Sequence, residues 1–245
     1  MDNVISTTTT RPKSASMFAS RFWRKTAFQI VIAACLTFVV VTILAMLTYA
    51  GGTGDDPQSV GYSFFTNFFS DLGRTISHSG ASNTLSALLF FGALTFAGVG
   101  LALFFIAFLQ FFSAPRWARI LSIIGSLFGI GSALCFVGVA LTPANLLRAY
   151  HGQFVLWAFG LFPLAVICYI PLLWQNKAFP KRYAFAFIAF AALLILYFVL
   201  IRSGPRGDTP ESLLIQATGQ KIIVYASILS ILFQATGALR VNSET

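Results

Sequence analysis

Two polar stretches hold most of the residues able to do chemistry: Asn67-Phe-Phe-Ser-Asp-Leu-Gly-Arg74 and Thr142-Pro-Ala-Asn-Leu-Leu-Arg-Ala-Tyr-His151. Asp71 sits near the end of an expected helix, just before Gly73. A carboxylate there opposes the helix dipole, so it calls for a cation. Arg74 is the nearest in sequence and Arg148 is the nonlocal choice. Thr142-Pro143 reads as a helix start, with Thr142 as N-cap and Pro143 at the first helical position. Arg148 and His151 then stand three residues apart on one helix face. Lys221 opens the last apolar run. Asp71, Arg74, Arg148, His151 and Lys221 are therefore the candidate ligand-binding residues, with Ser70, Gly73, Asn83 and Asn145 supporting them.

Three kinds of chemistry fit these residue types. The cations Arg74, Arg148, Arg202, Arg206 and Lys221 could form a rim that suits a phosphate, although snorkelling to lipid headgroups would satisfy them equally. His151 could act as a general base on a lipid, oriented by Asp71. The same residues could instead lock a loop in place as a structural salt bridge. Asn83 also reads as a simple N-cap of the next apolar run.

Metal chemistry lacks support, and no cofactor is expected. The chain has two histidines, His78 and His151. With Asp71 they would make a two-histidine, one-carboxylate set, which nothing in their spacing predicts. Hydrolases of the alkaline ceramidase and adiponectin-receptor kind use three histidines for zinc. Cys35, Cys135 and Cys168 lie inside apolar runs and read as small packing residues. A serine protease of the rhomboid kind would need more than Gly80-Ala-Ser-Asn83 followed later by His151: the fragment lacks the glycine after Ser82.

The elements that must position these groups are membrane spans. Hydrophobic residues make up 57% of the 245 residues and charged residues only 9%, against about 25% charged in a soluble domain. The apolar residues come in runs of about 20, enough to cross a hydrocarbon core of roughly 30 Å. Six spans are expected, at about 26–50, 84–111, 119–141, 150–174, 183–201 and 220–239, forming an all-α polytopic bundle. The net charge of +9 is spread over short segments between the spans. This excludes a nucleic-acid-binding domain and sets orientation instead.

With the amino terminus inside, the inner segments hold Arg11, Lys13, Arg21, Arg24, Lys25, Arg116, Arg119, Lys177, Lys181, Arg182 and Arg240. The outer segments hold only Arg74, Arg148, Arg202, Arg206 and Lys221. Both termini are therefore expected in the cytoplasm, and Trp23, Trp117 and Trp174 all fall at the inner interface. Residues 1–20, rich in Ser and Thr, read as a disordered cytoplasmic tail, residues 21–240 as the membrane domain and 241–245 as a second tail. In the first outer loop, Tyr62, Phe64, Phe65, Phe68, Phe69 and Leu72 recur at three- and four-residue steps. That pattern predicts an amphipathic helix in the outer interface. In span three, Gly125 and Gly129 form a face for close helix packing. Pro163 and Pro171 predict a kink in span four.

Ser70-Asp-Leu-Gly73, Asn83, the Thr142-Pro stretch ending at His151, and Gly219-Gln-Lys-Ile222 together resemble the bacterial integral-membrane family known as domain of unknown function 998, over roughly residues 25–240. Lys221 stands where that pattern has Arg or Lys, while the family's segment is variable at the position of Asp71. The resemblance implies a multi-span bundle in a bacterial cytoplasmic membrane with outer polar motifs, and it implies no particular reaction. The leading expectation is a non-enzymatic or transport-type bundle. Its outward pocket, closed by residues 60–74, would bind a lipid headgroup or small polar ligand. An intramembrane lipid hydrolase using His151 and Asp71, and a structural or assembly subunit, are the alternatives.

Overall fold

A computed structural model describes Phe18 and residues 20–244. The tail expected over 1–20 thus lies almost wholly outside the described residues. The chain is a multi-pass membrane protein built from six long apolar helices: α1 (Ala27–Leu47), α2 (Thr84–Phe108), α3 (Arg116–Leu141), α4 (Arg148–Gln175), α5 (Arg182–Ser203) and α6 (Pro210–Ser243). Each is apolar on every side, because in lipid the backbone groups must bond within the helix and the outward side chains meet hydrocarbon. Leu36, Leu88, Leu127 and Leu196 are among the exposed large residues on that outer surface.

Consecutive helices pack on one another and α6 closes back on α1, giving a ring. Where helices meet, small residues and hydroxyls replace bulk. A Cβ on Gly129 would lie 2.2 Å from the ring of Phe105 in α2, and one on Gly125 would lie 2.9 Å from Cys168 in α4. The Gly125–Gly129 face is thus a packing face. Ser126 donates to the Phe105 carbonyl at 2.8 Å and shares a 2.6 Å hydrogen bond with Tyr169. Ser132 donates to the Ala158 carbonyl at 2.8 Å. α4 runs uninterrupted through Pro163 and Pro171.

The two ends of the ring differ. At one end the described termini meet: Asn242 donates to the Arg24 carbonyl at 2.7 Å. At the other end, residues 48–83 fold over the helices as a cap. The cap differs from the expected amphipathic helix. Its helical element is one five-residue 3-10 turn, Phe69–Gly73. The polar side chains that completed the helical pattern capture the backbone instead: Asn67 Oδ1 accepts from Ser63 N at 2.9 Å, and Asp71 Oδ2 accepts from Phe68 N at 2.8 Å. Gly52 makes the cap's tightest crossing. Its φ is +84°, and a Cβ there would lie 2.3 Å from Ser79 N, so only glycine fits.

Two further boundaries differ from expectation. α6 starts ten residues before position 220 and continues to Ser243, into the segment read as a tail. Thr142 does not start α4. It follows α3, its hydroxyl donates back to the Gly138 carbonyl at 2.7 Å, and α4 begins at Arg148.

Candidate functional site

The cap end gathers most of the buried polar side chains, and Asp71 is at their centre. It is 5% exposed. Its Oδ2 accepts from Phe68 N and, at 3.2 Å, from Asn67 Nδ2. Its Oδ1 lies 3.1 Å from His78 Nε2. The cation expected at Arg74 or Arg148 is therefore supplied by His78, whenever that ring is protonated. Arg74 turns away, and its Nε donates to the Ile76 carbonyl at 3.2 Å. Arg148 is exposed at the start of α4 and bonds to none of the site residues. A helix-start arginine in lipid gains more from the headgroup layer than from a buried pair.

Lys221 does reach the site, from α6. It is 2% exposed, and its ammonium donates to the Asn67 carbonyl. The rings of Tyr62, Phe64 and Phe69 surround it at 5.3 to 5.8 Å. Aromatic faces and carbonyls thus replace its water. The Asp71 charge acts on Lys221, His151, Tyr49 and Tyr62. Burial first, and then Asp71, push the Tyr49 phenol up to about 12, and Tyr62 is raised for the same two leading reasons. Both phenols therefore stay protonated. The Tyr62 hydroxyl donates to the Phe68 carbonyl at 3.0 Å.

The supporting residues tie cap to bundle. Asn83 does not cap α2 with its side chain. It accepts from Ala50 N at 3.1 Å and donates to the Leu72 and Arg74 carbonyls at 3.2 and 2.8 Å. Asn145 holds both Thr75 N, at 3.0 Å, and the Thr75 hydroxyl, at 2.9 Å. Gly73 lets the chain pass against Phe90, whose ring would lie 2.6 Å from a Cβ. Ser70 is half-buried and borders the cavity described below. Gln220 is a further member, outside the residues expected from the sequence: its Oε1 accepts from Phe69 N at 2.7 Å. An amide inside an apolar run was its available signal. His78 gave a weaker one, because its pairing with Asp71 depends on the turns between them.

His151 is buried but stands apart from the Asp71 hydrogen bonds. Its Nδ1 lies 2.6 Å from the Thr142 carbonyl oxygen. The Asp71–His151 hydrogen bond that a hydrolase would use does not form. The serine–histidine pairing does not form either, since Ser82 is exposed and bonds Thr84 at 3.0 Å. Among the described residues, no group of three His, Cys, Asp or Glu is placed to hold a metal ion.

Beneath the cap, in the middle of the ring, lies an apolar cavity of about 90 Å³. α1, α2, α3, α4 and α6 line it, while Phe69, Ser70 and Gln220 close its cap end. No charged side chain borders it. From Phe90 to Leu101 its wall follows twelve residues of α2, an axial rise of about 16 Å at 1.5 Å per residue. Compared with protein-family models, curated proteins and solved structures, the chain matches none.

Proposed function

We propose that this integral membrane protein binds a single lipid chain in the cavity at the centre of the ring, and that the polar cap closes over it. The cavity carries this reading. Its length of about 16 Å is close to half of a hydrocarbon core of roughly 30 Å, the depth of one leaflet's acyl chain. One water needs about 10–15 Å³ on the same measure, so a cavity of about 90 Å³ has room for roughly six to nine groups of methylene size, a part of such a chain. The polar cluster serves the binding indirectly. Most of its hydrogen-bonding atoms are partnered inside the protein, which suits a lid held shut more than an open headgroup site.

The cap end faces outward and both termini face the cytoplasm in this proposal, supported by the clustering of Lys and Arg at the termini end. The likeness to the bacterial family rests on the short motifs quoted above and belongs to the same proposal, as does placement in a bacterial cytoplasmic membrane.

Native mass spectrometry in mild detergent tests the binding. The wild type is expected to retain a lipid adduct, and Ala97→Phe and Ser227→Phe, which fill the cavity, are expected to lose it while staying folded. A wild type free of lipid, with no uptake when lipid is added back, would leave the cap as a purely structural lock.

A further inference from the structure

A second space opens at the other end of the ring, where the described termini meet. This pocket of about 480 Å³ is lined by Arg24, Lys25, Leu239, Arg240, Asn242 and Ser243. Three cations from the two ends of the described chain thus line one space. Among the described residues, no acidic side chain lines it. Arg24 and Lys25 belong to the helical turn Phe22–Thr26 that leads into α1, and Arg240 to the last turn of α6. The Arg24 guanidinium donates to the Asn242 carbonyl at 3.3 Å, and Asn242 Nδ2 donates to the Arg24 carbonyl at 2.7 Å. These bonds pin the turn to the end of α6 and hold the cations of both segments together.

The helix dipoles explain only part of this charge. A cation at the end of α6 complements that helix, which accounts for Arg240 and for the bond from Arg24. Lys25 instead stands in the helical turn that opens α1, where the dipole is itself positive, and no acidic residue occupies the first turn there. Lys25 and Arg240 are exposed. Among the described residues, their side chains make no hydrogen bond or ion pair. Other cations of this end are engaged: Lys181 lies 5.1 Å from the Trp174 ring and Arg182 lies 5.2 Å from the Tyr183 ring. Trp23 precedes Arg24, and tryptophan marks the level of the headgroups.

We propose that this pocket binds the phosphate headgroup of an anionic lipid from the leaflet at the termini end. Lys25 and Arg240 neutralise the phosphate beside the anchored Arg24, and Leu239 gives the start of the lipid chain an apolar wall. An amine-bearing headgroup would bring a further cation among these three, so the fit is to headgroups without one. The site lies apart from the central cavity and does not depend on the chain-binding reading.

Native mass spectrometry of the purified full chain in mild detergent, titrated with dioleoylphosphatidylglycerol or dioleoylphosphatidylcholine, tests it. Wild type should favour the glycerol lipid by about twentyfold, at about fivefold for each of two cations. Lys25→Gln and Arg240→Gln should each cut that ratio by about fivefold. Lys177→Gln and Arg116→Gln, which remove exposed cations of the same end, should leave it unchanged, as should the cavity-filling Ala97→Phe. Each preference is a ratio within one protein, so a loss of folded material cannot imitate the result. Ammonium phosphate, compared with ammonium acetate at equal ionic strength, should not displace the lipid; displacement would overturn the lipid in favour of a free phosphate. Equal binding of the two lipids by the wild type overturns the proposal. A loss as large in Lys177→Gln and Arg116→Gln as in the pocket variants does so too, because it assigns the attraction to the charge of the whole end.

Discussion

Asp71 makes two kinds of contact that differ in worth. Its bond from Asn67 is buried and that from Phe68 partly buried, whereas His78, its other partner, has a side chain 23% exposed. Hydrogen bonds to a buried charged group are worth about 1.5–3 kcal/mol, and a partly solvated ion pair about 0–1 kcal/mol. Asp71→Asn is therefore expected to destabilise the protein by about 1.5–3 kcal/mol, and His78→Ala by less than about 1 kcal/mol, in denaturant unfolding in detergent. Equal costs would mean that the ion pair, and not the buried bonds, holds the cap. Tyr49 adds a pH dependence. Its folded value is up at about 12, above the ordinary phenol value of about 10. The folded state thus favours the neutral phenol. This stabilisation is complete below about pH 10 and is lost as pH rises through the folded value. Stability should fall between about pH 10 and about 12, and Tyr49→Phe should make that fall shallower; an identical fall in both proteins would assign it to other groups. The sequence marked Asp71 and Lys221 as neighbours, because isolated charges beside apolar runs need partners. It misassigned the cation, since Arg74 and Arg148 have solvent or headgroups available and His78 reaches Asp71 only through the folded turns of the cap.

Among the elements, the spans were legible and the cap was not, for opposite reasons. A span is specified by length and apolarity alone. The cap's aromatic spacing also specified a helix, but Asn67 and Asp71 compete for the same backbone donors, and that competition is decided by tertiary contacts such as Gln220 with Phe69 N. Glycines separate the packing role from the merely permissive one. Gly129 faces Phe105, which is fully buried and whose ring a Cβ would approach to 2.2 Å. Gly92, in α2, has open space around it. Gly129→Ala should cost about 1–3 kcal/mol through overpacking, whereas Gly92→Ala should be neutral or slightly stabilising, by up to about 1 kcal/mol. Comparing thermal unfolding of the two variants checks this. A neutral Gly129→Ala would mean that α2 and α3 are not tightly apposed there.

For the whole molecule, the ring has two chemically distinct ends, and charge is the basis of the proposed orientation. Helices that are apolar all round give no sign of which faces leave space between them, so the cavity was invisible in the sequence. The charge bias was visible, because it lies in the short connections. The two ends differ in a testable way. Val60 is 99% exposed at the tip of the cap, and Ala178 is exposed in the connection between α4 and α5 at the termini end. Cys35 is buried, and Cys135 and Cys168 are half-buried within α3 and α4, so replacing all three with Ala removes background labelling at small packing cost. In that background, Val60→Cys in intact cells should react with a membrane-impermeant maleimide. Ala178→Cys should react only after the membrane is opened, as the proposed orientation, drawn from the excess of Lys and Arg at its end, requires. The reverse pattern would turn the molecule over. The cap would then close the cavity toward the cytoplasmic leaflet, and the bound chain would have to come from that side.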